Sequence, residues 1–241
     1  MHQDHRKDFY EALDMIRKSD SLAISRCADG EAGVLKNNTI GNKDGWLYKK
    51  DKNLIFRADL RESLTCTDDN FIYGISSRNV DEENYQFLRR FVRQRLEYMT
   101  FSDIWVNANY ELFNQLFLKT IQETKRDVVF VTNPKAKLKR IDSVVNITDM
   151  IPVKGNCITT WEKNRGFMKG VLDLHASLTD GRVFLVAAGP LTNIIIYHMW
   201  RVNQKNIYID IGSTLDPLIY SRKSRNYHKD GHPDRNVVDA W

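Results

Sequence analysis

The sequence has few of the residues that cross-link small secreted or metal-stapled proteins. Its three cysteines, Cys27, Cys66 and Cys157, are widely spaced and form no CxxC pair. An odd number of separate cysteines excludes a disulfide framework and favours a reducing compartment. A chain of 241 residues can also bury a sizeable core without such cross-links. The three thiols are therefore expected to be structural.

Long apolar runs are also scarce. The first ten residues, MHQDHRKDFY, contain no apolar segment of the kind found in signal peptides. The most apolar stretch, residues 183–200, is interrupted by Gly189 and Pro190 and includes Asn193 and His198, which is unlike a membrane span. These features predict a cytoplasmic protein without a transmembrane segment, and they leave a peripheral contact with a membrane open.

No repeat, low-complexity tract or flexible linker divides the chain. We predict one domain over residues 1–241, with an N-terminal helix in residues 1–20 and a basic tail in residues 218–241 as extensions. The net charge of +5 allows an anionic ligand without requiring one. The densest basic cluster, residues 135–140, lacks interleaved aromatic residues, so nucleic acid is not an expected partner. The sequence predicts no particular oligomeric state.

Helix-like and strand-like segments alternate along the chain. Helices are predicted over residues 6–18, 32–36, 81–99, 110–124, 161–177 and 190–202, and strands over residues 21–25, 71–75, 127–132, 143–147, 182–188 and 206–210. Apolar strands alternating with helices predict an α/β fold: a single Rossmann-like domain with a mostly parallel sheet and helices on both faces. Ligands of such sheets bind beyond the carboxyl ends of the strands, so candidate chemistry is expected there.

The first candidate site, RCADGE at residues 26–31, directly follows a predicted strand. Asp29 and Glu31 flank Gly30, a spacing that allows both carboxylates to reach one hard cation. Such a cation would neutralise a diphosphate leaving group, and Arg26 would form forked hydrogen bonds with a carboxylate or phosphate. The alternative is an ordinary strand-to-helix turn in which Asp29 or Glu31 caps the helix.

Two later strand ends carry further polar residues. In AAGPLTN at residues 187–193, Gly189 allows a ligand to approach the backbone, and the N–H groups of the following helix suit an anion. We expect this turn to line the same cleft as residues 26–31; the alternative is a compact turn without a ligand. In YIDIGSTLDP at residues 208–217, Asp210 would bind a sugar hydroxyl or act as a base. The alternative is that Asp210 and Asp216 cap a terminal turn.

The C-terminal segment RKSRNYHKDGH, residues 222–232, is basic and carries aromatic residues. Because few apolar residues anchor it, we expect a solvated segment that is mobile without ligand. It would close over an anionic diphosphate through Arg222 and Arg225. A glycine and a proline beside His228 and His232 argue against the helix that a metal-binding histidine pair needs.

Together, these segments resemble the GT-D-type glycosyltransferases, a family once described as a domain of unknown function. The family's Arg-x-Gly-Asp-Gly-Glu segment is similar to residues 26–31, and its strand–Gly-Pro–helix and Tyr-x-Asp-x-Gly segments are similar to residues 184–190 and 208–212. The resemblance spans residues 20–220 with the segments in the same order. The chain departs from the family at Cys27 and Ala28, where an aromatic residue and a glycine are usual, but both carboxylates are kept.

The resemblance implies transfer of a sugar from a nucleotide sugar, usually a UDP-sugar, to a hydroxyl of a glycan or glycoconjugate acceptor. It also implies a divalent metal, Mn²⁺ or Mg²⁺, held by Asp29 and Glu31, which with Asp216 are the predicted catalytic residues. The predicted donor-binding residues are Arg26, Asn107, Gly189, Pro190, Thr192, Asp210, Ser213, Arg222 and Arg225. Two alternatives stay open: a hydrolase of phosphate esters or nucleotide sugars that uses the same carboxylates, and a non-catalytic module that binds anionic ligands.

Overall fold

The computed structural model describes residues 1–43 and 45–241, and its centre is a seven-stranded parallel sheet. The strands are β1 (Leu22–Cys27), β2 (Ile40–Gly41), β3 (Leu47–Tyr48), β4 (Phe71–Ile75), β5 (Met99–Phe101), β6 (Val128–Thr132), β7 (Ile147–Pro152), β8 (Val183–Val186) and β9 (Ile207–Asp210). The sheet order is β5-β4-β1-β9-β8-β6-β7, and β2 and β3 form a separate antiparallel hairpin. The helices are α1 (His5–Lys18), α2 (Asp29–Leu35), α3 (Leu54–Glu62), α4 (Arg78–Leu88), α5 (Tyr110–Thr124), α6 (Cys157–Ser177), α7 (Leu191–Val202) and α8 (Asp216–Ile219).

Helices cover both faces of the sheet, as the alternation of buried side chains requires. In β6, Val128 and Phe130 belong to one buried cluster, whereas Val129 and Val131 belong to the other. The first cluster includes residues of α1 and α5, and the second includes residues of α2, α3, α6 and α7. In the part of the chain that the structure describes, no helix combines the length and the apolar character needed to cross a membrane. The predicted α/β class with a parallel sheet and helices on both faces is confirmed.

The predicted helix over residues 81–99 is wrong beyond Leu88, where α4 ends. Gln94 leaves the helical pattern because its side-chain amide donates to two backbone carbonyls near the start of β4, at 2.8 and 2.9 Å. Met99 is buried as predicted, but it begins the edge strand β5. The apolar residues therefore keep a helical spacing through the turn after α4 and into β5, which is why the sequence predicts too long a helix.

The predicted strand over residues 143–147 is displaced, because β7 begins only at Ile147. Val145 is buried, but it lies in a turn in which its N–H bonds to the carbonyl of Ile141. The edge strand β7 exposes Thr148 and Asp149, so it lacks the apolar run that marks the central strands. The sequence pattern predicts no helix or strand in residues 37–70, which contain β2, β3 and α3.

The C-terminal tail is packed against the rest of the protein. Tyr227 is buried, and its ring centroid lies 4.9 Å from that of Tyr110. Farther along, a carboxylate oxygen of Asp239 lies 2.8 Å from Nδ1 of the buried His5. The expectation of a solvated segment without apolar anchors in residues 222–232 is therefore wrong.

We expect Tyr227→Ala to destabilise the protein strongly. Truncation of a large buried side chain costs about 3–5 kcal/mol, which corresponds to a fall of about 10 °C in Tm for a chain of this size. Lys229→Ala changes an exposed residue of the same tail and should leave Tm unchanged. A thermal melt in which the two variants behave alike would show that the tail adds nothing to stability.

Candidate functional site

A cleft of about 870 Å³ opens at the carboxyl edge of the parallel sheet. The predicted site residues that line it are Asp29, Glu31, Asp216, Arg26, Gly189, Pro190, Thr192, Asp210, Ser213, Arg222 and Arg225. The shared carboxyl edge of the strands explains why segments distant in sequence meet here. The position of these residues is now defined, while their roles in catalysis and binding stay predictions.

Asn107 does not line the cleft, and its contact with a donor stays a prediction. It lies in the short 3-10 helix Asn107–Asn109, and its Nδ2 donates to Oδ2 of Asp103 at 2.7 Å. Asp103 does line the cleft. Sequence reasoning missed Asp103 because a single acid after a three-residue edge strand forms no motif. Asn107 is therefore connected to the cleft through its hydrogen bond to Asp103.

Both acids of the segment 26–31 reach the cleft at the start of α2. Asp29 is exposed, whereas Glu31 is partly buried. Glu31 Oε2 accepts the backbone N–H of Ala28 at 2.9 Å. Glu31 therefore caps the helix, as the alternative interpretation held, and it still presents a carboxylate to the cleft.

Burial raises the pKa of the Glu31 carboxyl from 4.5 to about 7, and the nearby carboxylates of Asp210 and Asp29 add to this rise. The N–H of Ala28 opposes it only in part. A carboxyl group destabilised by burial and by like charges fits a site for a divalent cation. Among residues 1–43 and 45–241, no group of three or more His, Cys, Asp or Glu residues could hold an ion by itself. A cation between Asp29 and Glu31 would thus need oxygen ligands from a substrate and from water.

In metal-free buffer, the stability that Glu31 contributes should depend on pH. A raised carboxyl pKa favours the protonated folded state, so this contribution is complete below pH 4.5 and is lost as the pH rises through about 7. The variant Glu31→Gln has no carboxyl group to titrate at this position. Its free energy of unfolding should therefore rise relative to that of the wild type by about 1–3 kcal/mol between acidic pH and pH 8. Urea unfolding of both proteins at several pH values measures the difference, because all other groups titrate in both. If the difference in the free energy of unfolding is the same at every pH, the pKa of Glu31 is not raised by folding.

Arg26 and Asp210 join two adjacent strands beneath the cleft. β1 and β9 pair with Ile24 opposite Ile209, which brings the following residues of each strand together. Arg26 Nη2 donates to Asp210 Oδ1 at 3.2 Å, and the backbone N–H of Arg26 donates to Asp210 Oδ2 at 3.2 Å. Gly212 completes the arrangement: its φ is +50°, its N–H donates to Asp210 at 2.9 Å, and a Cβ there would overlap the Arg26 guanidinium. Asp210 therefore accepts several bonds within the protein, and it orients Arg26.

Trp46 covers the two glycine-containing turns of the cleft. A Cβ on Gly189, whose φ is +57°, would lie 3.1 Å from the indole, and a Cβ on Gly30 would lie 3.3 Å from it. Thr192 Oγ1 accepts the N–H of Ala188 at 3.0 Å, which fixes the start of α7. Because these two glycines have no side chain, the indole of Trp46 can pack against them and form part of the cleft wall. A lone tryptophan in a polar stretch carried no sequence signal for this contact.

The remaining predicted residues connect the cleft to the tail. Ser213 Oγ lies 2.8 Å from the hydroxyl of Tyr227. Asp216 is buried and accepts a hydrogen bond from Ser224 Oγ, and Arg222 Nη2 lies 3.8 Å from its carboxylate. The carboxylate of Asp216 therefore helps to hold the tail beside the cleft, and its catalytic role stays a prediction.

The cysteines do not provide a nucleophile. All three are buried, and burial raises the pKa of the Cys66 thiol to about 11 and that of Cys157 to about 12. Burial likewise raises the pKa of Cys27. Neutral thiols are poor nucleophiles, so the structural role predicted for them fits.

Two solved structures share this architecture. One is a selenomethionine-substituted structure of domain of unknown function 1792 (DUF1792), with a TM-score of 0.58 and 15% identity over 95% of this chain and 87% of that chain. The other, with a TM-score of 0.55 and 15% identity over 95% of this chain and 88% of that one, is described as showing that the highly conserved DUF1792 has a distinct glycosyltransferase fold. No protein-family model and no curated protein matches the chain. The chain therefore has the glycosyltransferase fold of DUF1792, and the resemblance to GT-D-type glycosyltransferases is confirmed at the level of the fold.

Proposed function

We propose that this protein is a metal-dependent glycosyltransferase that moves a sugar from a nucleotide sugar, a UDP-sugar by preference, to a hydroxyl of a glycan or glycoconjugate. One observation carries the proposal. The acid pair Asp29 and Glu31 and the turn at Gly189 line one cleft at the carboxyl edge of a sheet with a glycosyltransferase fold. The cytoplasmic location inferred from the sequence stays a prediction.

Asp29 and Glu31 would hold Mn²⁺ or Mg²⁺ together with diphosphate oxygens and water. Such a cation supplies neutralising charge for the diphosphate as it departs. Arg26, with 12% of its side chain exposed and held by Asp210 at 3.2 Å, adds a fixed positive charge to the same end of the cleft. The N–H groups after Gly189 provide a further set of hydrogen-bond donors for an anionic ligand.

Asp103 is the residue best suited to accept the proton of an acceptor hydroxyl. Burial raises the pKa of its carboxyl to about 6, with Asp239 adding to the rise and Arg26 opposing it. A carboxylate with a pKa near the working pH is an effective general base. The hydrogen bond from Asn107 fixes its orientation toward the cleft.

Incubation with a panel of nucleotide sugars, with and without a mixed panel of glycosyl acceptors, tests the reaction type. We expect nucleoside diphosphate release that requires Mn²⁺ or Mg²⁺ and is at least about tenfold faster with a suitable acceptor, since the hydroxyl is then positioned beside the anomeric carbon. EDTA should abolish the release. Release of free sugar at the same rate with and without acceptors would instead identify a hydrolase.

A further inference from the structure

Three lysines line the same cleft beyond the ends of β6 and β7. Lys135 and Lys137 follow β6, and Lys154 follows the edge strand β7. All three are exposed. No carboxylate of residues 1–43 or 45–241 forms an ion pair with any of these ammonium groups. Their positive charge is therefore available to a ligand in the cleft.

The strand order places the acid pair and the three lysines on different strands of the sheet. Asp103 follows the edge strand β5, the pair Asp29 and Glu31 follows β1, and Asp210 ends the central strand β9. The lysines follow β6 and β7 at the other edge. The acid pair needs a cation before it can accept a diphosphate, whereas the lysines attract an anion directly. A cleft of about 870 Å³ lies near the upper end of the range for ligand sites, so it has room for two groups.

The loop that carries the lysines is held in place by hydrogen bonds. The N–H of Lys135 donates to Asn133 Oδ1 at 3.0 Å, and the N–H of Lys137 donates to the carbonyl of Ile219 at 2.8 Å. On the next strand, the N–H of Val153, beside Lys154, donates to the end of β6 at 2.8 Å. The backbone positions of the lysines are thus defined before a ligand arrives, which lowers the ordering cost of binding.

We propose that Lys135, Lys137 and Lys154 form a second anion site that binds a phosphate group carried by the acceptor. This inference rests on the proposed function, in which the donor diphosphate binds at the acid pair. The acceptor is then a phosphorylated molecule, with its phosphate directed toward the lysines. The basic cluster at residues 135–140 thereby gains a role that its sequence did not reveal.

The test measures binding of a hexose 1-phosphate to the protein already saturated with UDP and Mn²⁺. We expect binding that adds to that of UDP and weakens as salt is raised. The triple variant Lys135→Gln, Lys137→Gln, Lys154→Gln should raise the Kd for hexose 1-phosphate at least about tenfold, because it removes the charged hydrogen bonds to the phosphate. The Kd for UDP should change less than twofold.

The matched control removes the same charge elsewhere. Lys119, Lys139 and Lys163 are exposed and lie outside the cleft, and Lys139 belongs to the same basic cluster. Their triple replacement by glutamine should leave the Kd for hexose 1-phosphate unchanged. Vesicles containing phosphatidic acid form a second arm: lysine-dependent binding to them identifies a lipid-linked phosphate, and binding of hexose 1-phosphate alone identifies a soluble one.

Competition between UDP and hexose 1-phosphate for binding would overturn the proposal. An equal loss of affinity for hexose 1-phosphate in the two triple variants would also overturn it. Absence of binding to both hexose 1-phosphate and the vesicles would also overturn it. Failure of the proposed function has a different signature, because UDP with Mn²⁺ would then not bind even to the wild type. Lysine-dependent binding of hexose 1-phosphate could still be measured in that case.

Discussion

Replacement of Asp29 by Asn together with Glu31 by Gln is expected to reduce sugar transfer by about a thousandfold or more. If Asp29 and Glu31 hold the metal as proposed, their loss removes several kcal/mol of charge stabilisation from the departing diphosphate, and each 1.36 kcal/mol is a factor of ten in rate. The fold should persist, because Asp29 is exposed and the amide oxygen of Gln at position 31 can still accept the N–H of Ala28. The measurement is the initial rate of transfer alongside a thermal melt.

A control for this double variant replaces two acids that lie outside the cleft. Asp142→Asn with Glu62→Gln makes the same change of charge at exposed positions and should retain full activity. Transfer at the wild-type rate by the Asp29 and Glu31 variant would remove both residues from the mechanism. Unfolding of that variant would instead favour a purely structural capping role.

Asp210→Ala is expected to destabilise the protein strongly. Asp210 and Arg26 have 7% and 12% of their side chains exposed, so removal of the carboxylate leaves a guanidinium buried without its counter-charge. Breaking a buried ion pair from one side costs about 3–5 kcal/mol. Asp210→Asn also removes the counter-charge, but its amide oxygen can still accept hydrogen bonds from Arg26 and from the N–H of Gly212, so its free energy of unfolding should fall by less. Urea unfolding gives the free energy of unfolding of both variants. If both lose less than about 1 kcal/mol, the ion pair of Arg26 and Asp210 does not anchor β1 to β9.

The regular elements with a strong local pattern could be predicted from the sequence. The helix at residues 110–124 and the strand at residues 71–75 have their predicted bounds, because one is amphipathic at helical spacing and the other is apolar throughout. Of the edge strands, β5 was missed because it is three residues long, and β7 was displaced because it exposes polar side chains. Local periodicity carries too little information about such strands.

The site was predictable only in part, for a related reason. Acids next to glycine at strand ends indicate a ligand site, and the shared edge of a parallel sheet brings them together. Contacts such as Trp46 on Gly189, or Tyr227 on Ser213, depend on the strand order and on the path of the tail. The placement of β9 between β1 and β8 is likewise a long-range property that no local pattern shows.

The central claim is that this cleft binds a nucleotide diphosphate through a cation held by Asp29 and Glu31. Thermal unfolding of the wild type with UDP and Mn²⁺, with UDP and EDTA, and with Mn²⁺ alone tests it most directly. A native-state ligand present at about a hundred times its Kd stabilises the protein by about 2.7 kcal/mol, which predicts a rise of several degrees in Tm only when UDP and Mn²⁺ are both present. The same rise in EDTA, or in the Asp29→Asn, Glu31→Gln variant, would contradict the account.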